Sequence, residues 1–199
     1  MSLLIRDVQE HELELVLAMN NAAGPGILPL DAARLQRFFR DAEYFRIAER
    51  NGQLAGFLVA FGHDSGHDSG NFDWFRQHAS GPFLYIDRII VASQRRGGGV
   101  GRAFYADVQS YAEQRYPQLA CEVFMRDGTD PVLLFHGALG FQEIGQRRQD
   151  DGTMASMLVR DLCSYQWIHQ TYGTRLPDAS WVGRPRTPLP APRSTGTHA

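Results

Sequence analysis

The stretch Asp87-Arg88-Ile89-Ile90-Val91-Ala92-Ser93-Gln94-Arg95-Arg96-Gly97-Gly98-Gly99-Val100-Gly101-Arg102 decides how this chain is read. An apolar strand runs into a glycine-rich turn, and the turn opens a helix. Glycine lets a backbone approach a ligand closely, and the first N–H groups of a helix have no internal partner. Together they form an anion cradle suited to a phosphate or pyrophosphate. A P-loop is excluded, because it needs a lysine and all twenty cations of this chain are arginine. The dinucleotide pattern G-x-G-x-x-G also fails. Counted from Gly97 its last position is Arg102, and counted from Gly99 it is Phe104. The pattern that fits is R-x-x-G-x-G, carried by Arg96, Gly97, Gly98, Gly99, Val100 and Gly101.

Working outward, the apolar spacing predicts a strand over 3–8 and a helix over 10–22, broken by Gly24-Pro25-Gly26. Asp31 is a candidate N-cap for a second helix with Leu35, Phe38 and Phe39 on its apolar face. Strands over 44–49 and 54–61 flank Asn51-Gly52, a strong hairpin signal. A long loop is expected over 62–81, then a strand over 82–91 and a helix over 100–115. A strand over 119–125 follows. Pro131 opens a short helix that Gly140 stops, and a last hairpin turns at Asp151-Gly152. Residues 164–170 read as a short helix. The segment 183–199, with Pro185, Pro188, Pro190 and Pro192, reads as extended or disordered. The order is α/β, and a central mixed sheet flanked by helices accommodates it.

Composition narrows the class. At 199 residues the chain is long enough for one domain with a sizeable core. Its 43% hydrophobic and 21% charged content is that of an ordinary globular protein. A net charge of −2 argues against a nucleic-acid binder. No apolar run approaches the roughly 20 residues that span a bilayer, so no membrane association is expected. The first residues lack a basic segment followed by an apolar one, so no secretory signal is expected either. Cys121 and Cys163 make no disulfide framework, which fits a reduced, cytoplasmic protein. The absence of lysine also removes Schiff-base chemistry and a lysine base.

The strand "IDRIIV", the spacer "ASQRR" and the turn "GGGVGR" resemble the acyl-CoA-binding signature of the GNAT N-acetyltransferases. The later "LLFHGALGF" resembles the second marker of that family, a short helix ending in Leu-Gly-Phe. The likeness spans residues 3–159. It implies a GNAT-like α/β fold with a mixed, mostly antiparallel twisted sheet. Residues 1–162 are then the acetyltransferase domain, and 163–199 a C-terminal extension. The implied reaction moves an acetyl group from acetyl-CoA to a primary amine.

Roles follow from the resemblance position by position. The backbone of Ile89, Ile90 and Val91 is expected to pair with the pantetheine arm as though it were another strand. The amides of Gly97, Gly98, Gly99, Val100, Gly101 and Arg102 are expected to hold the pyrophosphate beside Arg96. A strand amide near Val91 faces the oxyanion. Tyr85 and Asp87, alternating on one face of the same strand, are the candidate bases. The alternative for Asp87 is a structural ion pair with Arg88 or Arg126. The family commonly has a tyrosine acid where this chain has His136, a residue whose ordinary pKa also suits proton donation. Thr129 stands where the family often has an asparagine beside CoA.

The resemblance also implies that the acceptor meets the first helices and the loop before the central strand, here Asn20, Asn21, the turn over 24–29, and Asn71, Phe72, Trp74 and Phe75. A small metabolite amine is the first expectation, because the long loop crowds a peptide; a protein N-terminus or lysine is the second. Other readings are a non-catalytic acyl-CoA-binding module, a metal site on the repeat His63-Asp64-Ser65-Gly66-His67-Asp68-Ser69-Gly70, and a tail that docks a partner. A solvated Gly/Ser loop is the simpler reading of that repeat, so no metal is expected. The resemblance also admits a homodimer.

Overall fold

The computed structural model describes residues 2–24, 26–125 and 130–173. Pro25, Arg126, Thr129 and the tail over 183–199 lie outside them. The chain forms strands β1 (Leu3–Asp7), β2 (Tyr44–Arg50), β3 (Gln53–Gly62), β4 (Phe83–Val91), β5 (Gln118–Phe124), β6 (Gln142–Arg148) and β7 (Met154–Asp161). The helices are α1 (Leu13–Asn21), α2 (Ala32–Asp41), α3 (Gly70–His78), α4 (Val100–Ala112), α5 (Pro131–Ala138) and α6 (Cys163–Tyr172). A 3-10 turn over Glu10–Glu12 leads into α1, and another over Ser93–Arg95 follows β4.

The seven strands make one mixed sheet in the order β1-β2-β3-β4-β5-β7-β6. Every pairing is antiparallel except β4 with β5. A parallel pair needs a crossover, and α4 supplies it. The sheet divides the core in two. On one face Val16, Leu35, Phe38, Phe61, Phe72, Phe75, Phe83 and Tyr85 pack beneath α1, α2 and α3. On the other, Leu58, Leu84, Ile86, Val100, Phe104, Tyr105 and Leu158 pack beneath α4 and α5. Alternation along each buried strand sends neighbouring residues to opposite cores.

Local signals placed most elements. Asp31 caps α2 by accepting from the Arg34 N–H at 2.6 Å. Asn51 and Gly52 both take positive φ, 54° and 75°, as the tight β2–β3 hairpin requires. Asp130 caps α5, with Pro131 in its first turn. The loop expected over 62–81 is corrected by α3. Its buried Asn71, Phe72 and Phe75 share one face over β4, while Asp73 and Arg76 face water. Packing on the sheet stabilises this short helix, whose own length carries little helical bias.

Candidate active site

β4 and β5 pair over three positions only: Phe83 with Gln118, Leu84 with Leu119 and Tyr85 with Ala120. Beyond Tyr85 the strands separate. β5 continues to Phe124 on β7, and β4 continues to Val91 on β3. The two inner edges therefore face a gap. The Ala92 N–H bonds the Ala55 carbonyl at 2.9 Å, and the Ile90 carbonyl is directed at Gly56, both on β3. Strand backbone alternates, so the peptide groups of Ile89 and Val91 face the gap, whereas those of Ile90 face β3. Free donors and acceptors along an open strand edge accept an extended chain as a surrogate strand.

The open edge leads into the glycine turn. Gly97 and Gly99 have φ of 75° and 81°, the left-handed region where a side chain is strained. Gly99 is the N-cap of α4, and the first helical bond runs from Ala103 N–H to Gly99 C=O at 3.0 Å. The amides of Gly99, Val100, Gly101 and Arg102 thus precede the hydrogen-bonded ladder. They crown the positive end of a helix of 13 residues. Arg96 and Arg102 stand exposed on either side. A bound pyrophosphate fits this set of donors.

Two carboxylates flank the gap on the α1–α3 face, each two residues past the last β4–β5 pair. On β4, Val59 pairs with Arg88 and Ala60 with Ile86, so Asp87 is the extra residue of a β-bulge. The bulge turns Asp87 and Arg88 to the same face. Asp87 accepts from Arg88 Nε at 2.6 Å and is bonded to His67 Nε2 at 2.9 Å. Arg88 also donates to Asn20 Oδ1 at 2.7 Å and lies over the Phe38 ring. Burial alone raises the Asp87 pKa. The His67 bond and the charges of Arg88 and His67 outweigh it and hold the carboxyl below its ordinary range.

Across the gap on β5, Glu122 accepts from the Tyr85 hydroxyl at 2.8 Å and from Asn71 Nδ2 at 2.9 Å. Arg147 and Gln149 hold the other end of Asn71 at 2.8 and 2.9 Å. No cation within salt-bridge distance faces Glu122 among the described residues. Burial and the neighbouring Asp87 charge push its pKa up to about 7. Tyr85 is fully buried, and burial beside Glu122 and Asp87 raises its hydroxyl well above the ordinary value. At neutral pH the pair is therefore a protonated tyrosine beside a carboxylate poised to exchange a proton.

On the opposite face, His136 is buried under α4. Its Nδ1 lies 2.7 Å from the Val132 carbonyl, an acceptor only, so Nδ1 carries the proton. Nε2 then accepts from the Tyr105 hydroxyl at 2.6 Å. Burial lowers the His136 pKa despite the Val132 bond. The proton of this pair belongs to Tyr105, whose pKa burial raises well above normal. Cys121, beside Glu122 on β5, faces Tyr105; its thiol is likewise pushed up by burial and stays protonated.

Of the sequence-predicted residues, Tyr85, Asp87 and Ile89 to Val91 lie along β4 beside the gap, His136 is buried on the opposite face, and Thr129 lies outside the described residues. Tyr85 and Asp87 share a face, and the carboxylate that accepts from the phenol is Glu122, which sequence reasoning missed. Nothing local marks Glu122, because its meaning depends on the long-range pairing of β5 with β4. The expected acceptor residues also change part. Asn20 and Asn21 tie α1 to the 28–30 backbone, Phe72 and Phe75 are core, and only Asn71 meets a site carboxylate. The repeat is less solvated than its composition suggested. His67 turns inward, stacked on Phe61 at 3.9 Å, while His63 packs on Phe83. Among the described residues no group of three His, Cys, Asp or Glu side chains is placed to hold a metal ion. Nor is any described helix long and apolar enough to cross a membrane.

The model for the acetyltransferase (GNAT) family matches residues 13–141, well over half of the chain. No curated protein matches the sequence. Among solved structures, the fold is similar to Ard1 from Thermoplasma volcanium, with a TM-score of 0.65 and 19% identity over 81% of this chain and 99% of that one. It is similar to the ribosomal-protein-S18-alanine N-acetyltransferase of Escherichia coli, at TM-score 0.61 and 17% identity over 81% and 94% of the two chains. It is also similar to an Arabidopsis thaliana protein bound to the bisubstrate analogue CoA-Ac-MVNAL, at 0.61 and 14% over 81% and 99%. At these identities the likeness concerns the fold.

Proposed function

Because the chain belongs to the GNAT acetyltransferase family, we propose that it transfers the acetyl group of acetyl-CoA to the primary amine of a small metabolite. The observation that carries this reading is the early end of β4–β5 pairing directly before the glycine cradle. A pantetheine arm fits the gap, and the pyrophosphate at its end fits the amides of Gly97 and of Gly99 to Arg102, the Gly98 N–H being given to the Arg95 carbonyl at 3.3 Å. Acetyl-CoA supplies the activated acyl group.

The side chains divide the proton work. Glu122 takes the proton of the attacking amine, since a carboxyl near pKa 7 is a far better base than an ordinary one. Tyr85 orients that carboxylate and stays protonated. Asp87, tied to His67 and Arg88, fixes the bulge and adds the negative field that raises Glu122. Val91 N–H, on the open edge, suits the developing oxyanion. The Tyr105–His136 pair lies on the other side of the gap, and the proton for the departing thiolate is assigned to it as a unit.

A small acceptor is favoured by α3. Its Asn71 bonds Glu122, its Trp74 ring seats against Gly145 of β6, and Arg147 crosses above Gly70. This roof narrows the amine side of the gap. The rival reading is a peptide N-terminus, supported by similarity in fold to enzymes whose names or bound analogues are peptidic. The test is a panel of small amines and short peptides with acetyl-CoA. Turnover of small amines alone supports the reading; turnover of peptides alone replaces it. Binding without any turnover points to a non-catalytic module.

A further inference from the structure

The three consecutive glycines of the cradle do not all serve the same need. Gly97 and Gly99 have positive φ, but Gly98 does not. A Cβ on Gly98 would instead collide with the guanidinium of Arg50, at the end of β2. Arg50 Nη2 donates to the Gly98 carbonyl at 3.0 Å. Its Nε is buried without a hydrogen-bond partner, and no carboxylate pairs with it among the described residues. Arg95 makes a second tie from the turn to the same hairpin, donating to Gln53 Oε1 at 2.9 Å.

We infer that Arg50 is a positioning residue for the pyrophosphate: it fixes the Gly98–Gly99 peptide so that the Gly99 N–H points into the cradle. In a trans peptide the carbonyl and the following N–H point in opposite directions. Drawing the Gly98 carbonyl inward onto Arg50 therefore turns the Gly99 N–H outward, alongside the free amides of α4. The unneutralised guanidinium lies behind the loop and adds to the field that an anion meets. A side chain at Gly98 would displace the Arg50 guanidinium from this position and crowd the Arg95 carbonyl.

The inference rests on the CoA reading above, and one experiment separates the two. Full-length protein is titrated calorimetrically with CoA and with pantetheine, which lacks the pyrophosphate. Arg50→Ala is expected to weaken CoA about tenfold or more and to leave pantetheine unchanged. Gly98→Ala is expected to reproduce that selective loss, and the double variant to lose little more than either single one. Arg50→Lys, which keeps a donor and the charge, recovers part of the binding and replaces Arg50→Ala, with Arg50→Gln beside it, if the alanine variant does not fold. Equal losses for both ligands mean that Arg50 only braces the fold, and undiminished CoA binding means that the loop is shaped without it; either overturns the inference. Wild-type protein that binds neither ligand overturns the CoA reading itself, before any substitution is compared.

Discussion

Glu122 and Asp87 face one gap, yet their surroundings push their pKa values apart. In the proposed reaction that separation lets one act as a base while the other holds the framework. Glu122→Gln is expected to lower kcat by 10²–10³-fold, the usual range for a general base being about 10²–10⁴, with KM for acetyl-CoA unchanged. Wild-type kcat/KM should rise with pH through about 7, as Glu122 loses its proton, and the variant should lack that limb. The same shift costs stability. A carboxyl whose pKa rises on folding makes the folded state lose stability as pH climbs from about 4.5 to about 7. Glu122→Gln should therefore raise Tm at pH 8 relative to wild type, and not at pH 4. Asp87 has the opposite sign. Its carboxyl is held low by His67 and Arg88, so its contribution is present above its ordinary pKa and fades as pH falls through the folded one. Asp87→Asn leaves Arg88 buried and short of a partner, and should cost about 3–5 kcal/mol at pH 7 by urea unfolding. Asp87 and Tyr85 were named from the sequence by the family resemblance, with strand alternation placing them on one face. Sequence alone could not expose Glu122, since the meeting of β4 and β5 spans 37 positions of chain.

At the scale of elements, the glycine turn and α4 were legible because R-x-x-G-x-G describes backbone geometry directly. Gly99 has a left-handed φ and nothing near its missing Cβ, so Gly99→Ala is a test of conformation without a clash. It should cost about 1–2 kcal/mol of stability and weaken CoA, leaving pantetheine bound as before. The helix α3 was not legible. Its signal is two phenylalanines three residues apart behind a Gly/Ser repeat, and it gains its stability from the sheet below. Phe75 is fully buried in that contact. Phe75→Ala should lower stability by about 3–5 kcal/mol, whereas Trp74→Ala, at the edge of the roof over Gly145, should instead broaden the range of amines accepted in a turnover assay.

For the whole molecule, the two hairpins, the capped helices and the α/β order foretold a mixed sheet with helices on both faces. The bulge at Asp87 and the three-pair limit of β4 with β5 were beyond local patterning, because both are differences in register between distant segments. Yet those two irregularities make the site. The bulge aims the carboxylate, and the early parting of the strands opens the edge that leads to the cradle at α4. Acyl-CoA binding by this chain therefore depends on the fit of that opening to the cofactor. Calorimetric titration of the wild-type protein with acetyl-CoA, with ATP and NADH as controls, tests it most directly. Saturable binding of acetyl-CoA at one site per chain, with neither control bound, is the predicted result. A folded protein that ignores acetyl-CoA, or that binds all three alike, would contradict it.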